Sequence, residues 1–206
     1  MMPGMRRSGT WSILGRPVAV ALLCLPSGMS PVSAAPEGPA SVYSEIAPGR
    51  CGPKLKPNPA EHETVRHGCR VLGRFAVEAV YRGTSVTFTV KGPDGPALQL
   101  GAPYAVGDRI EWRGARAGGR FVPGAAILRL SGRDVAGRVV SGLAVLRVDG
   151  GRVCLAGVLD AGRADANGRA REAGDRAASG PGCAGIRAAA IGPETAIVQD
   201  ILERSR

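Results

Sequence analysis

The chain has 206 residues, with 27 Lys or Arg against 17 Asp or Glu, and a formal net charge of +10 at pH 7. Outside one short run near its start, no hydrophobic segment comes close to the roughly 20 residues that span a bilayer, which excludes an integral membrane protein built from helices. A length below about 250 residues is typical of one compact domain, so multidomain classes are excluded as well.

The first 34 residues have the pattern of a cleavable Sec-type signal peptide. Three arginines and no acidic residue lead into an apolar run over 18–25. Val32 and Ala34 then occupy the two positions that the narrow pocket of signal peptidase reads, so we expect cleavage after Ala34. Cleavage after Ala35 ranks second, because Pro36 would directly follow the scissile bond. The pattern predicts export to the periplasm or the medium.

Two other export routes fit this start less well. Arg6 and Arg7 suggest a twin-arginine signal, but the apolar pair that usually follows is replaced by polar residues. Cys24 suggests a lipoprotein anchor, but Leu23 stands where a small residue is required. We therefore expect no stable membrane anchor after cleavage.

Removal of the predicted signal leaves 172 residues with 24 basic and 17 acidic side chains. Only three of the basic residues are Lys, so the Arg content reflects overall composition more than selection for Arg chemistry. A positive field still favours association with polyanions, and in a cell envelope these are lipopolysaccharide, anionic lipid or cell-wall polymer. The expected partner is an anionic envelope component, and nucleic acid is not expected.

Four cysteines remain after cleavage: Cys51, Cys69, Cys154 and Cys183. An even number in an oxidising compartment predicts a disulfide framework. Of the three possible pairings we favour Cys51–Cys69 with Cys154–Cys183, because each closes a short local loop. No C-x-x-C motif occurs, so neither a zinc site nor any other metal or cofactor is expected.

Residues 35–50 are rich in Pro, Gly and Ser and are predicted to be a flexible lead-in. The disulfide-stapled domain is predicted over 51–190, where runs of Val, Ile, Leu and aromatic residues separated by Gly, Pro and Asp predict antiparallel strands. The six predicted strands cover 71–81, 85–91, 109–113, 121–130, 143–148 and 152–159. Asp149 and Gly150 between the last two supply the positive φ angles of a tight hairpin.

A helix is predicted over 164–178, with Asp160 or Asp165 accepting hydrogen bonds from its first amides. Its apolar face consists of alanines at helical spacing: Ala166, Ala170, Ala173 and Ala177. The tail, 191–206, has the spacing of a second helix. The predicted fold is α+β: an antiparallel sheet of five or six strands, strongly twisted or partly closed, with one Ala-faced helix packed on it.

Catalytic patterns are weak in this sequence. His62 and His67 stand one residue too far apart for the zinc motif H-E-x-x-H, a difference of roughly 100° around a helix. Asp165 to Gly168 has only part of a calcium loop and is better interpreted as a helix start. Four carboxylates are candidates for a hydrolytic pair without any distinctive spacing: Asp108, Glu111, Asp149 and Asp160.

The most cationic segment carries Arg113, Arg116 and Arg120 in Gly-rich sequence beside Trp112. No acidic residue occurs between Glu111 and Asp134. The functional interpretation is a loop that binds an anionic ligand, and the alternative is a solvated turn next to a core tryptophan.

Several motifs together resemble a family of small exported proteins of Gram-negative bacteria that has no assigned activity. They are Glu111-Trp112-Arg113, the segment 123–129, the segment 143–148 leading into Cys154, Asp160-Ala161, Asn167 and Arg171. The resemblance covers roughly 43–185 with all four cysteines, and the longer tail departs from it. It implies the compartment and the fold and adds no catalytic residue. For Asn167 and Arg171 we expect structural roles, with Arg171 paired to Glu111 or Asp160.

These observations together predict an exported, non-enzymatic binding or structural protein. The alternative is a small envelope hydrolase that uses carboxylates or His67.

Overall fold

The computed structural model describes residues 38–47, 64–82, 85–102 and 105–205. The predicted signal peptide with its cleavage point after Ala34 lies outside these residues. Cys51 and His62 lie outside them as well, so the Cys51–Cys69 pairing stays a prediction.

The described residues form ten strands and two α-helices. The strands are β1 (Ala40–Glu45), β2 (Thr64–Val71), β3 (Phe75–Arg82), β4 (Ser85–Lys91), β5 (Leu98–Ala102), β6 (Ala105–Ala117), β7 (Arg120–Arg133), β8 (Val139–Asp149), β9 (Arg152–Asp160) and β10 (Ala189–Ala190). The helices are α1 (Ala166–Ser179) and α2 (Ala196–Arg204), with one 3-10 turn at Cys183–Gly185.

The strands form two sheets, so the prediction of a single sheet of five or six strands was wrong in its count. Six strands follow the order β1-β6-β7-β8-β9-β10, and β2 to β5 form a separate four-stranded meander. All described pairings are antiparallel except that of β10 with β9. Neither sheet closes on itself. The predicted α+β class with a mainly antiparallel sheet is confirmed.

The main hydrophobic core lies between the two sheets. Trp112 of β6 is fully buried, and its ring packs against Phe75 of the smaller sheet with centroids 5.1 Å apart. Its Nε1 donates a hydrogen bond of 3.0 Å to Ser44 Oγ, which satisfies the one polar atom of the indole. Consecutive residues of β8 from Gly142 to Leu146 are buried, because one face meets this core and the other lies under α1.

Helix α1 packs on the outer face of the six-stranded sheet through alanines. Ala166, Ala170 and Ala173 form a second core with Ile127, Leu143, Val145 and Leu159. The predicted capping is wrong: Asp165 is the N-cap residue but its side chain makes no capping bond, and Asp160 instead accepts from the Gly162 amide at 2.8 Å.

Three local predictions need correction. Residues 40–45 of the predicted flexible lead-in form β1, which pairs with β6 along its whole length. The predicted strand 71–81 begins only at Phe75, because Val71 ends β2 and the chain turns at Gly73 with φ 67°. The predicted helix in the tail exists as α2, but Ile197, Val198 and Ile201 belong to the main core, so the domain extends past 190.

Two local features are confirmed. The predicted hairpin joins β8 and β9, but its two turn residues are Gly150 and Gly151, because Asp149 still pairs with Arg152; Gly150 has φ 63°. Cys154 and Cys183 form a disulfide with their Cα atoms 5.7 Å apart, which ties β9 to the segment that follows α1.

Candidate functional site

A cleft of about 340 Å³ opens on the outer face of the six-stranded sheet, beside α1. We call it the arginine cleft. Strand β1 supplies Tyr43 and α1 supplies Asn167 and Arg171, while the remaining lining comes from the sheet. The full lining is Tyr43, Gly107, Asp108, Arg109, Glu111, Ile127, Arg129, Leu143, Asn167 and Arg171.

Strand alternation places the cleft residues. Ile110 and Trp112 of β6 point into the core between the sheets, so the odd-numbered Arg109, Glu111 and Arg113 lie on the face toward α1. On β7, Leu128 and Leu130 belong to the inner core, which leaves Ile127 and Arg129 on the outer face. A row of charged side chains therefore stands on a sheet face that is otherwise apolar.

Glu111 is the centre of a polar network at one side of the cleft. Arg171 holds it with a fork of two hydrogen bonds, Nε to Oε1 at 2.7 Å and Nη2 to Oε2 at 3.3 Å. Ser41 Oγ donates to Oε1 at 2.5 Å, and Arg171 Nη2 also donates to the Tyr43 hydroxyl at 3.2 Å. The predicted pairing of Arg171 is confirmed for Glu111, not Asp160.

The pKa of Glu111 lies below its ordinary value of 4.5. Partial burial of the carboxyl acts in the opposite direction, but hydrogen bonds from Arg171 and Ser41 and the charges of Arg171 and Arg113 outweigh it. The same interactions raise the pKa of Arg171. Glu111 is an ionised carboxylate that neutralises Arg171.

Arg113 does not lie in an exposed binding loop, as the functional interpretation of the sequence expected. It is 8% exposed, and its guanidinium forms a fork with Asp175 of α1, with N···O distances of 2.9 and 2.6 Å. Its Nη1 donates to Ser41 Oγ at 2.7 Å, which links it to the Glu111 network. Arg116 and Arg120 lie at the exposed end of the β6–β7 hairpin. The three arginines therefore do not form one surface.

Arg109 and Arg129 are the cations of the cleft that no carboxylate neutralises at close range. Within the described part of the chain, neither guanidinium forms a salt bridge, and Arg109 lies over the Tyr43 ring at 5.9 Å from its centroid. Glu45 is opposite Arg109 in the β1–β6 register. Arg109 precedes Ile110 on β6, and Arg129 follows Leu128 on β7. Both therefore lie beside the Ile110–Leu128 pair, where the register of the two strands shifts.

Asp108 is the second carboxylate that lines the cleft. Burial, and then the charge of Asp108, raise the pKa of the Tyr81 hydroxyl on β3. The register of β6 shifts between Val106 and Ile110, so strand alternation does not assign Asp108 to one face of the sheet. Its backbone oxygen accepts from the Ile46 amide at 2.7 Å.

The other candidates for hydrolytic chemistry are scattered. Asp149 holds Arg152 and the Cys183 amide at the β8–β9 turn, and Asp160 caps the turn after β9. His67 lies on β2 with its ring edge-on to Tyr81, at 5.7 Å between centroids. Only Asp108 and Glu111 line one cleft.

Sequence reasoning missed Tyr43, Arg109 and Arg129. A period-two pattern was available for two of them, since Arg109 alternates with buried Ile110 and Arg129 with buried Leu128. Tyr43 lies in the segment 35–50, whose Pro, Gly and Ser content predicted a flexible lead-in, so no strand pattern pointed to it.

Replacing Glu111 by Gln is expected to change the pH dependence of stability. A carboxyl whose pKa is lower in the folded state stabilises the protein above its unfolded pKa, and this contribution is lost as pH falls through the folded pKa. Wild-type protein should therefore exceed E111Q in stability at pH 6, and the difference should shrink by pH 3. Urea denaturation at several pH values measures it. A difference that stays constant over this range would contradict the assignment of Glu111.

In the ranges that the structure covers, no helix is both long and apolar enough to cross a membrane. Over the same ranges, no three His, Cys, Asp or Glu side chains are grouped as a metal ion requires.

Comparison of the chain with protein-family models, with curated proteins and with solved structures finds no match in any of the three. The resemblance to a family of exported proteins stays a prediction.

Proposed function

We propose that this chain is an exported binding protein that holds an anionic component of the cell envelope in the arginine cleft. The observation that carries the proposal is the pair Arg109 and Arg129, which line one cleft from neighbouring strands with no salt bridge to a described carboxylate. An anionic group placed between them would make charge-assisted hydrogen bonds with both.

The contrast with the other arginines of this face supports the proposal. Arg171 pairs with Glu111 and Arg113 pairs with Asp175, so each of these two cations has a carboxylate partner within the protein. Arg109 and Arg129 line the cleft without a salt bridge among the described residues, and departures of this kind are typical of sites that bind a ligand.

Export through a Sec-type signal that is cleaved after Ala34 is part of the proposal. The Cys154–Cys183 disulfide fits an oxidising compartment, as expected of a protein of the periplasm or the medium. Mass spectrometry of the protein recovered from the periplasm should give an N-terminus at Ala35. An N-terminus at Met1 would contradict this part.

Binding is a better account of the cleft than hydrolysis. A general acid needs a raised pKa, whereas the pKa of Glu111 is lowered and both of its oxygens accept hydrogen bonds from Arg171. Glu111 is suited to hold Arg171 in place.

Replacing Arg109 and Arg129 by Gln should abolish binding of anionic envelope components without unfolding the protein. A bound ligand at 100 times its Kd adds roughly 2.7 kcal/mol to stability, so thermal melting against a panel of lipopolysaccharide, anionic lipid and cell-wall fragments detects it. The double variant R109Q/R129Q should lose the shift and keep close to wild-type stability, because both side chains line an open cleft and neither forms a salt bridge among the described residues.

The matched control is R116Q/R120Q, which removes the same charge from the exposed hairpin end. It should retain most of the thermal shift. Equal loss in both double variants would show that net charge alone drives binding, and an undiminished shift in R109Q/R129Q would place the ligand elsewhere.

A further inference from the structure

We infer that the ligand of the arginine cleft is a linear polyanion whose chain continues across α1 into a second cationic cleft. This inference rests on the proposed function, and it narrows the ligand from any anionic envelope component to a polymer that carries several charges. It comes from the position of the second cleft, the charges of its lining and the way in which α1 separates the two clefts.

The second cleft has a volume of about 370 Å³ and lies beside the C-terminal half of α1. Val145 of β8 and Ala156 of β9 line it, and both pack in the same core as the apolar residues of the arginine cleft. Helix α1 contributes Arg176, and the segment after Cys183 contributes Arg187. Both clefts therefore open on the outer face of the six-stranded sheet.

The two clefts lie on opposite flanks of α1. Asn167 and Arg171 line the arginine cleft, whereas Arg176 lines the second cleft. From Asn167 to Arg176 the helix makes about two and a half turns, so these two side chains lie on opposite sides of it. An α-helix with its side chains is about 10 Å wide, and groups bound in the two clefts are separated by roughly this distance.

Among the described residues, the charged lining of the second cleft is entirely cationic. Neither Arg176 nor Arg187 forms a salt bridge to a carboxylate in the ranges that the structure covers. Both residues are exposed, so water and salt screen their charges and a single anion binds to them weakly. They contribute most to a ligand that is already anchored in the arginine cleft, because the connecting chain raises the effective concentration of its next anionic group.

The shape of this face favours a flexible polymer over a membrane surface. The arginines of the two clefts are separated by α1, which stands between them as a ridge and carries the exposed Glu172. A flat anionic surface would meet this ridge and its carboxylate first. A linear chain can instead pass over the helix and place one anionic group in each cleft.

Titration calorimetry of the mature protein with sulfated oligosaccharides, from disaccharide to dodecasaccharide, tests the inference. Affinity should rise by roughly tenfold or more at the length at which one chain reaches both clefts. The double variant R176Q/R187Q should bind the short oligosaccharides like wild type and lose this rise. The matched control R116Q/R120Q, which removes the same charge from the exposed hairpin end, should keep it.

The outcomes separate this inference from the proposed function. If R109Q/R129Q abolishes binding but affinity does not rise with length, or R176Q/R187Q keeps the rise, the second cleft is wrong and the anion site stands. The polymer is also wrong if wild type binds no oligosaccharide, or binds vesicles of phosphatidylglycerol and phosphatidylcholine more tightly than the longest one. If R109Q/R129Q binds every oligosaccharide as tightly as wild type, the proposed function fails together with the inference.

Discussion

Replacing Arg113 by Ala is expected to lower the free energy of unfolding by about 3 kcal/mol, because it breaks a buried ion pair. The guanidinium is 8% exposed and fills the space between β6 and α1, where it holds both oxygens of Asp175 and the hydroxyl of Ser41. Its removal leaves Asp175 without this partner and detaches one contact that fixes α1 on the sheet. Urea denaturation measures the change.

Arg116→Ala is the matched control for this prediction, since it removes an arginine three residues along β6 at the exposed hairpin end. Exposed substitutions of this kind usually alter stability by less than about 0.5 kcal/mol. A double-mutant cycle with Asp175→Ala should show a coupling energy of about 1 kcal/mol or more between Arg113 and Asp175. An R113A protein as stable as R116A would contradict the placement of Arg113.

Replacing both Cys154 and Cys183 by Ala is expected to lower the free energy of unfolding by roughly 3.5 kcal/mol. The two residues are 29 apart in sequence, and the segment between them contains α1. Without the bridge, the unfolded chain regains the freedom of this loop, and the end of α1 loses its covalent tie to β9. Denaturation of the double variant under oxidising conditions measures the loss.

Peptide mapping without reduction provides the independent check on this disulfide. It should recover a peptide from β9 joined to one that contains Cys183. Recovery of Cys154 joined to Cys51 or Cys69, or a loss of less than about 1 kcal/mol in the double variant, would contradict the assigned role of the bridge.

The sequence was most informative where structure depends on neighbouring residues. The hairpin turn after Asp149 needs a positive φ that Gly150 supplies, and the alanine stripe of α1 follows from helical spacing. The pairing of Arg171 could also be predicted, because only Glu111 and Asp160 were candidates for its partner. These features need no knowledge of which strands pair.

The rest of the fold depends on long-range pairing. Strand β1 has six residues of moderate hydropathy. They form a strand because they pair with the edge of β6, about 70 residues later in the chain. The turn at Gly73 was missed because only Gly73 and Arg74 separate Leu72 from the apolar residues that begin at Phe75. Helix α2 belongs to the core only because Ile197 and Ile201 meet strands of both sheets. Local patterns carry none of this information.

The arginine cleft could not be predicted for the same reason. Arg109 and Arg129 are 20 residues apart, and they come together only through the β6–β7 register, which a bulge shifts before Ile110. Arg113, Arg116 and Arg120 were instead grouped because they are close in sequence. Strand alternation and the bulge at Arg113 and Gly114 separate them, with Arg113 under α1 and the other two at the exposed hairpin end.

Binding of an anionic ligand between Arg109 and Arg129 can be followed by the NMR signals of the arginine Nε–Hε groups during titration with the envelope component that gives the largest thermal shift. We expect the signals of Arg109 and Arg129 to shift and saturate together, while those of Arg116 and Arg120 stay in place. Saturable shifts at Arg116 and Arg120, with those of Arg109 and Arg129 unchanged, would show that the ligand does not bind in the arginine cleft.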